Sequence, residues 1–420
     1  MIAQILNKSE KHFTVQIKIP YTKSMLDGED VILSSLNEAG MLATAEILTR
    51  FDTDGTPINV GNQTFTSKGQ VQTGYQTPYG TIKVERHVYQ SHSGGKTYVP
   101  LEKDARIIIT STPRFAKIIT SKISDLSASG VKRDFIENHN RPIHIRTIQE
   151  ITEAVGTFAA VKEDVWNYEV PELEKKVCGI GVGLDGACML TIADGWRVAM
   201  TGTISLYDKD GERLHTAYYA SAPEYGKEKF KEKFENEIIK MKALYSKAAS
   251  VGVADGARDN WPLLEKHTDS QILDFYHATT YVGEYAQERF TKVEDRDEWL
   301  EINLHKLKHN CGGVTRLLTE IINNPVKKKE VQEKVVRYIE NNDFRMKYNK
   351  ILEQNLPIGS GVTEAACKTI IKERMCKSGS RWTEAGAEVI LTLRCINKTD
   401  AKWEQFWNKI DRYGFERVAA

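Results

Sequence analysis

Residues 176–186 read KVCGIGVGLDG, and this stretch decides the fold. Aliphatic residues alternate with glycines along it, which predicts a β-strand with one apolar face. Ile180, Val182 and Leu184 lie on that face, and Asp185 lies with the glycines on the other. A carboxylate near the end of a buried strand needs solvent, hydrogen bonds or a cation, because burying it unpaired is costly. We therefore expect a functional aspartate here, beside glycines that leave room for a substrate backbone.

The segments that follow predict an α/β core. Two strand-like runs, WRVAMTGTISLYD (196–208) and RLHTAYYAS (213–221), flank an Asp-Gly turn, and residues 225–248 carry apolar residues at helical spacing. ASVGVADG (249–256) is typical of a buried parallel strand, and QILDFYHATTYV (271–282) of a fifth strand that runs into a helix. The order of three strands, helix, strand, helix and strand suits a ribonuclease-H-like core, which is a mixed five-stranded sheet with helices on its faces.

The whole chain divides into five predicted parts by changes in periodicity. These are an α+β amino-terminal region with β-hairpins (1–111), a helical segment with a linker (112–170), the first part of the ribonuclease-H-like core (171–283), an all-α insertion (284–355), and the second part of the core with its catalytic helix and a carboxyl-terminal tail (356–420).

The helical segment 112–170 carries a candidate nucleic-acid contact. Two amphipathic runs flank a break at NHNRP (138–142), which is typical of a helix-turn-helix-like unit. Arg133, Arg141 and Arg146 are then placed to contact DNA phosphates. A plain helical hairpin explains the same pattern, and periodicity alone leaves both open.

Composition excludes several classes of protein. The 420 residues include 58 Lys and Arg against 57 Asp and Glu, a net charge of +1, so any basic surface for nucleic acid must be local. Six scattered cysteines form no Cys-x-x-Cys pair, which favours reduced thiols. The sequence shows neither a signal-peptide core nor an apolar stretch approaching about 18 residues. We expect a cytoplasmic protein without a membrane segment.

Two further carboxylates are candidate partners of Asp185. Asp255 directly follows the apolar run SVGVA, and Glu364 is the first acid of the helix after IGSG. Two strand-borne aspartates and one helix-borne glutamate can converge as oxygen ligands of two Mg²⁺ (or Mn²⁺) ions, roughly 4 Å apart. Asp259 is an alternative to Asp255. Glu364 could instead complement the helix dipole and pair with Lys368, one turn later.

Basic residues follow Glu364 closely. Seven Lys and Arg and three Glu lie between residues 365 and 398, and we expect Lys368, Lys372, Arg374 and Arg381 to contact DNA. A solvated helix face is the plainer explanation of such a run. The cluster of His305, His309 and Cys311 favours packing or DNA contact over zinc, because no second ligand cluster accompanies it.

Four motifs together resemble a known family. They are VGLDG (182–186), VADGARDNW (253–261), LDFYHATTYV (273–282) and IGSGVTEAACK with RMCKSGSRWTEAGAEVILTLR (358–368 and 374–394). This set is similar to the DDE transposases of bacterial insertion sequences, in particular the Kra-type group. Residues 67–108 are similar to the same group, so the resemblance spans nearly the whole chain.

The resemblance implies a function and its parts. Asp185, Asp255 and Glu364 would form the metal-binding catalytic triad, with His277, in an Asp-x-x-His element, as a supporting residue near the active site. The expected activity is Mg²⁺-dependent cleavage and strand transfer on double-stranded DNA, namely terminal inverted repeats and target DNA, by a homodimer or larger assembly in the bacterial nucleoid. A ribonuclease-H-like nuclease without strand transfer and a catalytically inactive, transposase-derived DNA-binding protein remain alternatives.

Overall fold

The computed structural model describes residues 3–163, 165–224 and 226–416. Up to residue 168 the elements are β1 (Ala3–Lys8), β2 (Phe13–Ile17), α1 (Met25–Thr49), β3 (Ile58–Val60), β4 (Gln63–Gln76), β5 (Thr81–Ser91), α2 (Pro100–Asp104), α3 (Pro113–Asp125), α4 (Ala128–His139) and α5 (Ile145–Glu163). They are followed by β6 (Gly179–Thr191), β7 (Gly195–Tyr207), β8 (Arg213–Ser221), α6 (Glu228–Leu244), β9 (Ala249–Ala254), α7 (Trp261–His267), β10 (Ser270–Leu273), α8 (Phe275–Arg289), α9 (Val293–His309), α10 (Gly313–Asn323), α11 (Lys329–Glu340), α12 (Tyr348–Leu352), α13 (Gly361–Ala366), α14 (Glu373–Met375), α15 (Glu384–Lys398) and α16 (Lys402–Tyr413).

The chain forms two compact units. One contains the residues up to Tyr168 together with the chain from Lys402 onward, and the other is Glu169–Ala401. The predicted part 356–420 is therefore shared between the units. The physical reason is the apolar face of α16, where Phe406 packs its ring 5.9 Å from the ring of Trp166.

The second unit is built on a mixed five-stranded sheet with strand order β10-β9-β6-β7-β8. Strands β6, β7 and β8 are antiparallel neighbours, whereas β9 runs parallel to β6 and β10 parallel to β9. This is the predicted order of strands and helices, in a mixed α/β protein. The apolar face of β6 is fully buried, and Phe234 of α6 lies so close to the sheet that a side chain at Gly202 would meet its ring.

The glycines of β6 were expected to leave room for a substrate backbone, but the protein's own chain packs against them. A Cβ atom at Gly179 would lie 2.5 Å from Leu356, one at Gly181 would lie 3.1 Å from Pro357, and one at Gly183 would overlap Thr363. The space above these glycines is therefore filled by the segment that leads into α13. The glycines admit the protein's own chain, and the expectation that they admit a substrate backbone is wrong.

Strand β6 is also longer than the sequence suggested. It continues to Thr191 and pairs with β7 along its whole length, so Asp185 lies inside the strand. Its parallel pairing with β9, however, ends at Gly183. Asp185 thus lies two residues beyond the last residue of β6 that pairs with β9.

The region predicted as an all-α insertion contains α9, α10, α11 and α12, and the structure places no strand between residues 284 and 355. These helices contribute to the same apolar core as the sheet. The buried side chains they supply are Leu307, Leu317, Ile321, Val335, Ile339, Tyr348 and Ile351.

The first unit contains a three-stranded antiparallel sheet (β3-β4-β5), the β1-β2 hairpin and the helices α1 to α5. Helix α4 ends at Asn140, whose backbone is left-handed, and α5 begins at Ile145. Between them Arg141 is buried, where it donates to Thr77 O, Pro142 O and Gln76 Oε1. Burial lowers the pKa of Arg141 to about 10. The expectation that Arg141 contacts phosphates is wrong, because its guanidinium is used to satisfy backbone carbonyls.

Helix α1 differs from the expectation that no stretch of the chain is apolar enough to span a membrane. In the described part of the chain, α1 is long and apolar enough, by length and composition alone, to cross a membrane. Such a test is also passed by a core helix of a soluble protein, but α1 is mostly not buried within the chain.

Candidate active site

The strand register brings two of the predicted carboxylates to the same edge of the sheet. Gly183 of β6 pairs with Val253 of β9, and two residues further along lie Asp185 and Asp255. Neighbouring strands are about 4.8 Å apart, so these residues lie side by side where the parallel pairing ends. Leu273 of β10 pairs with Ala254, which adds Asp274 at the same edge.

A cavity of about 730 Å³ opens at this edge. Its lining residues are Leu184, Asp185, Asp255, His277, Ser360, Glu364, Cys367, Lys368, Lys372 and Glu373. All three predicted catalytic carboxylates, the supporting histidine and two of the predicted DNA-binding lysines thus line one space. They come from β6, the residue after β9, the helices α8 and α13, and the segment after α13.

Asp185 is the most enclosed of the three carboxylates. It accepts a hydrogen bond from the Gly186 N–H at 2.7 Å and a weak one from the Cys367 thiol at 3.3 Å. Burial raises the pKa of Asp185, and the negative charge of Asp255 raises it further, while the two hydrogen bonds and Lys372 lower it. Burial also raises the pKa of the Cys367 thiol, which therefore stays protonated and donates. A cation beside Asp185 would relieve the cost of this burial.

Glu364 stands in the first turn of α13, at a helix start that Asp274 holds in place. Asp274 is fully buried and caps α8, where it accepts from the backbone N–H of Tyr276 at 2.7 Å and of His277 at 3.2 Å. Its other oxygen accepts from the Ser360 N–H at 3.1 Å and from the Ser360 hydroxyl. The Ser360 Oγ also lies 3.0 Å from Glu364 Oε1. The Gly-Ser-Gly entrance thus links Glu364 to the edge of the sheet.

His277 lines the cavity and belongs to a cluster of aromatic rings. Its ring packs edge-on against Tyr281, with centroids 5.6 Å apart, and Tyr281 stacks on Tyr338 of α11 at 3.8 Å. The Tyr338 hydroxyl donates to the backbone carbonyl of Asp255 at 3.3 Å. Burial raises the pKa of Tyr338, so its phenol stays protonated and can donate. The helical insertion therefore contacts the peptide of a candidate ligand.

The predicted basic residues fall into different environments. Lys368 and Lys372 line the cavity and are exposed, on a π-helical stretch (Cys367–Lys372), a rare geometry that is frequent at functional sites. Glu364 lies in the first turn of α13, as the helix-dipole alternative predicted, but it forms no ion pair with Lys368 in the described part of the chain. Arg374 is buried with its guanidinium 4.9 Å from the ring centre of Trp382, so its predicted DNA contact is corrected to a packing role.

Three further arginines are not among the residues that line the cavity. Arg381 is exposed in the loop between α14 and α15. Arg133 is exposed on α4, and Arg146 is exposed on α5 with its side chain 2.8 Å from Glu150. Both of these belong to the first unit. Asp259, the alternative to Asp255, is exposed outside the cavity lining, with one oxygen 4.0 Å from Lys227.

The donor chemistry at the cavity fits a hard divalent cation. Carboxylate oxygens are the ligands that Mg²⁺ prefers, and it usually takes one or two of them together with water and substrate phosphate. As the side chains stand, no group of three or more His, Cys, Asp or Glu residues in the described ranges is arranged to hold a metal ion. This includes His305, His309 and Cys311, although the two histidine rings lie 4.7 Å apart.

Sequence reasoning missed the roles of Asp274, Ser360, Cys367 and Tyr338. Asp274 had a usable signal, because an acid that directly follows a strand and precedes a helix is a strong N-cap candidate. Ser360 had a weaker one, in its place between two glycines. Tyr338 had none, since it lies 83 residues from the carbonyl that it binds. In comparisons with known proteins, no protein-family model matches the chain and no curated protein matches it.

Proposed function

We propose that this protein is a DDE-type DNA transposase of a bacterial insertion sequence, with a ribonuclease-H-like catalytic core. The observation that carries the proposal is the convergence of Asp185, Asp255 and Glu364 on one cavity that also bears Lys368 and Lys372. Strand order and motif resemblance support the same conclusion. The protein would act in the bacterial cytoplasm, at the nucleoid, on double-stranded DNA.

The three acids would bind the metal ions, and the two lysines would bind the DNA. Asp185, Asp255 and Glu364 would hold two Mg²⁺ (or Mn²⁺) ions, which supply charge neutralisation and orientation for an in-line phosphoryl displacement. Asp185 is the central ligand, because it has Asp255 on one side and the α13 segment on the other. Its burial favours a bound cation over a free charge.

Other residues in and around the cavity bind the DNA or position the candidate metal ligands. Lys368 and Lys372 are exposed and can neutralise backbone phosphates next to the scissile bond. Ser360 and Asp274 position Glu364, and Tyr338 positions Asp255 through its carbonyl. In the reaction, water would attack the phosphodiester at each 3′ end of the element, which leaves a 3′-hydroxyl on the element and a 5′-phosphate on the flanking DNA. The 3′-hydroxyl would then attack a target phosphodiester and displace the 3′-oxygen of the adjoining target nucleotide. Because two ends are joined to one target, a homodimer or larger assembly acts on DNA.

The test uses the full chain with labelled duplexes that carry the inverted repeats flanking its gene, with and without Mg²⁺. The variants are Asp185→Asn, Asp255→Asn and Glu364→Gln, each an isosteric loss of charge. We expect each to lower cleavage by at least about 100-fold, since a metal ligand contributes several kcal/mol to the transition state. Binding of the duplex should survive.

Asp259→Asn is the matched control, because it makes the same change four residues from Asp255 on an exposed turn. It should cleave like the unchanged chain. Full activity in Asp185→Asn would overturn the triad. Cleavage without a joined product would favour the nuclease, and binding of end DNA without Mg²⁺-dependent cleavage by the unchanged chain would favour the transposase-derived DNA-binding protein.

A further inference from the structure

Helix α1 presents an apolar face that its own unit leaves uncovered. One side of the helix packs inward, with Met41 and Ala45 against the cluster around Leu48. The opposite side carries Ile32, Leu36 and Ile47, which are 40%, 50% and 51% exposed. Side chains of this size at such exposure on one face mark an interaction surface.

The outward residues are spaced as in a helix–helix seam. Glu29, Ile32, Leu36, Ala39, Ala43, Ile47 and Arg50 follow one another at intervals of three and four along α1 and its C-cap. Residues at this spacing lie on one face of a helix. The ends of the row carry opposite charges, and Ala39 and Ala43 lie near its middle, beside the half-exposed ring of Tyr79 that packs on Gly40.

The row complements a second copy of itself that runs in the opposite direction. About the midpoint between Ala39 and Gly40, Ile32 is placed opposite Ile47 and Leu36 opposite Ala43. Glu29 is placed opposite Arg50. Among the residues that the structure describes, Glu29 makes no ion pair, and Arg50 donates only to the backbone carbonyls of Ser9 and Glu10. A two-fold contact between identical surfaces requires this kind of symmetry.

We propose that α1 is the dimerisation helix of this protein, and that it pairs in antiparallel orientation with α1 of a second copy of the chain. The two symmetric Glu29–Arg50 pairs set the register, and the isoleucine and leucine side chains supply the buried apolar surface. A parallel pairing would place Glu29 beside Glu29 and Arg50 beside Arg50, which charge repulsion disfavours. The inference does not depend on the proposed function.

Charge and inward contacts favour a second copy over a lipid bilayer as the occupant. The helix contains acids but no Lys or Arg, whereas helices that lie on membranes are rich in basic residues. Its inward polar groups are also engaged within the unit. Glu38 accepts from the Ala3 N–H, Asn37 donates to the His139 carbonyl, and Glu46 pairs with Lys8. Insertion of α1 into a bilayer would break these contacts.

The first experiment measures the mass of the full chain by light scattering and sedimentation. We expect a particle of twice 47.6 kDa for the unchanged protein. Leu36→Glu places a charge in the centre of the seam and should weaken dimerisation by roughly 30-fold or more. Leu26→Glu is the matched control, an equally drastic change on the same helix that lies off the seam, and it should remain dimeric. Circular dichroism of both variants excludes unfolding as the cause.

The second experiment tests the orientation. Glu29→Lys should weaken the dimer, and the double variant Glu29→Lys/Arg50→Glu should restore it. Under mild oxidation Ala39→Cys, near the two-fold axis, should cross-link above the background of the unchanged chain, whereas Ile47→Cys should not. Equal cross-linking of both cysteines would overturn the antiparallel register. A monomer at high protein concentration, or co-flotation of the chain with anionic lipid vesicles, would overturn the proposal.

Discussion

The change of Ser360 to Ala tests whether the Gly-Ser-Gly entrance holds Glu364. Ser360 is buried, and its hydroxyl contacts both Asp274 Oδ2 and Glu364 Oε1. The substitution removes one hydrogen bond to a buried carboxylate, and such bonds contribute about 1.5–3 kcal/mol. The Ser360 N–H still donates to Asp274, so the carboxylate keeps part of its partners. We expect a loss near the lower end of that range.

Two readouts follow from this magnitude. In urea or heat, Ser360→Ala should lower the free energy of unfolding by about 1.5–2 kcal/mol, which for a unit of this size shifts the melting temperature by roughly 3–8 °C. In the cleavage assay, binding of DNA should be unchanged, while the maximal rate should fall by about 10-fold or more, because a mispositioned ligand slows the chemical step.

The matched control is Ser378→Ala, the same change at an exposed serine with no side-chain hydrogen bond in the described part of the chain. It should leave both readouts unchanged. Asp274→Asn should be worse than Ser360→Ala, because a buried carboxylate that accepts from three backbone N–H groups loses an acceptor. If Ser360→Ala melts and cleaves like the unchanged protein, the link from Asp274 to Glu364 has no energetic role and the argument fails.

Three further outcomes are expected. Because the pKa of Asp185 is raised above its ordinary value of 3.8, its ionised form opposes folding once the pH exceeds that value. Asp185→Asn should therefore raise the melting temperature at pH 7 but not near pH 3. Mg²⁺ should raise the melting temperature of the unchanged chain but not that of the variant. An equal gain in the melting temperature of Asp185→Asn at both pH values would refute the destabilising role of the Asp185 charge. Gly183→Ala forces a methyl group onto Thr363 and should cost about 2–4 kcal/mol in denaturant, whereas Gly361→Ala, with open space around it, should cost little. Arg141→Ala leaves the buried Thr77 carbonyl and two partly buried acceptors without their donor and should cost about 1–3 kcal/mol in chemical denaturation; a loss under about 0.5 kcal/mol would contradict a structural role for Arg141.

Local periodicity in the sequence was sufficient to predict much of the secondary structure of the second unit. Alternation with period two identified β6, a short apolar run identified β9, helical spacing identified α6, and their order implied a mixed five-stranded sheet. The same patterns singled out Asp185 and Asp255 as acids that follow buried aliphatic runs, and Glu364 as the first acid of a helix. These conclusions depend only on neighbours in the chain, which the sequence displays directly.

Tertiary structure alone decided what lies against each of these residues. The glycines of β6 receive residues 356–363, more than 170 positions away, and no local pattern reports such a contact. The sequence pattern predicts surface positions for Arg141 and Arg374, yet both are buried. Arg141 donates to the carbonyl of Thr77, 64 residues earlier, and Arg374 packs against the ring of Trp382, across a loop of the chain. Conversely, α1 is apolar along much of its length, although its unit covers only one side of it. Periodicity indicates which face of an element is apolar, but only the packing of remote segments determines what covers that face.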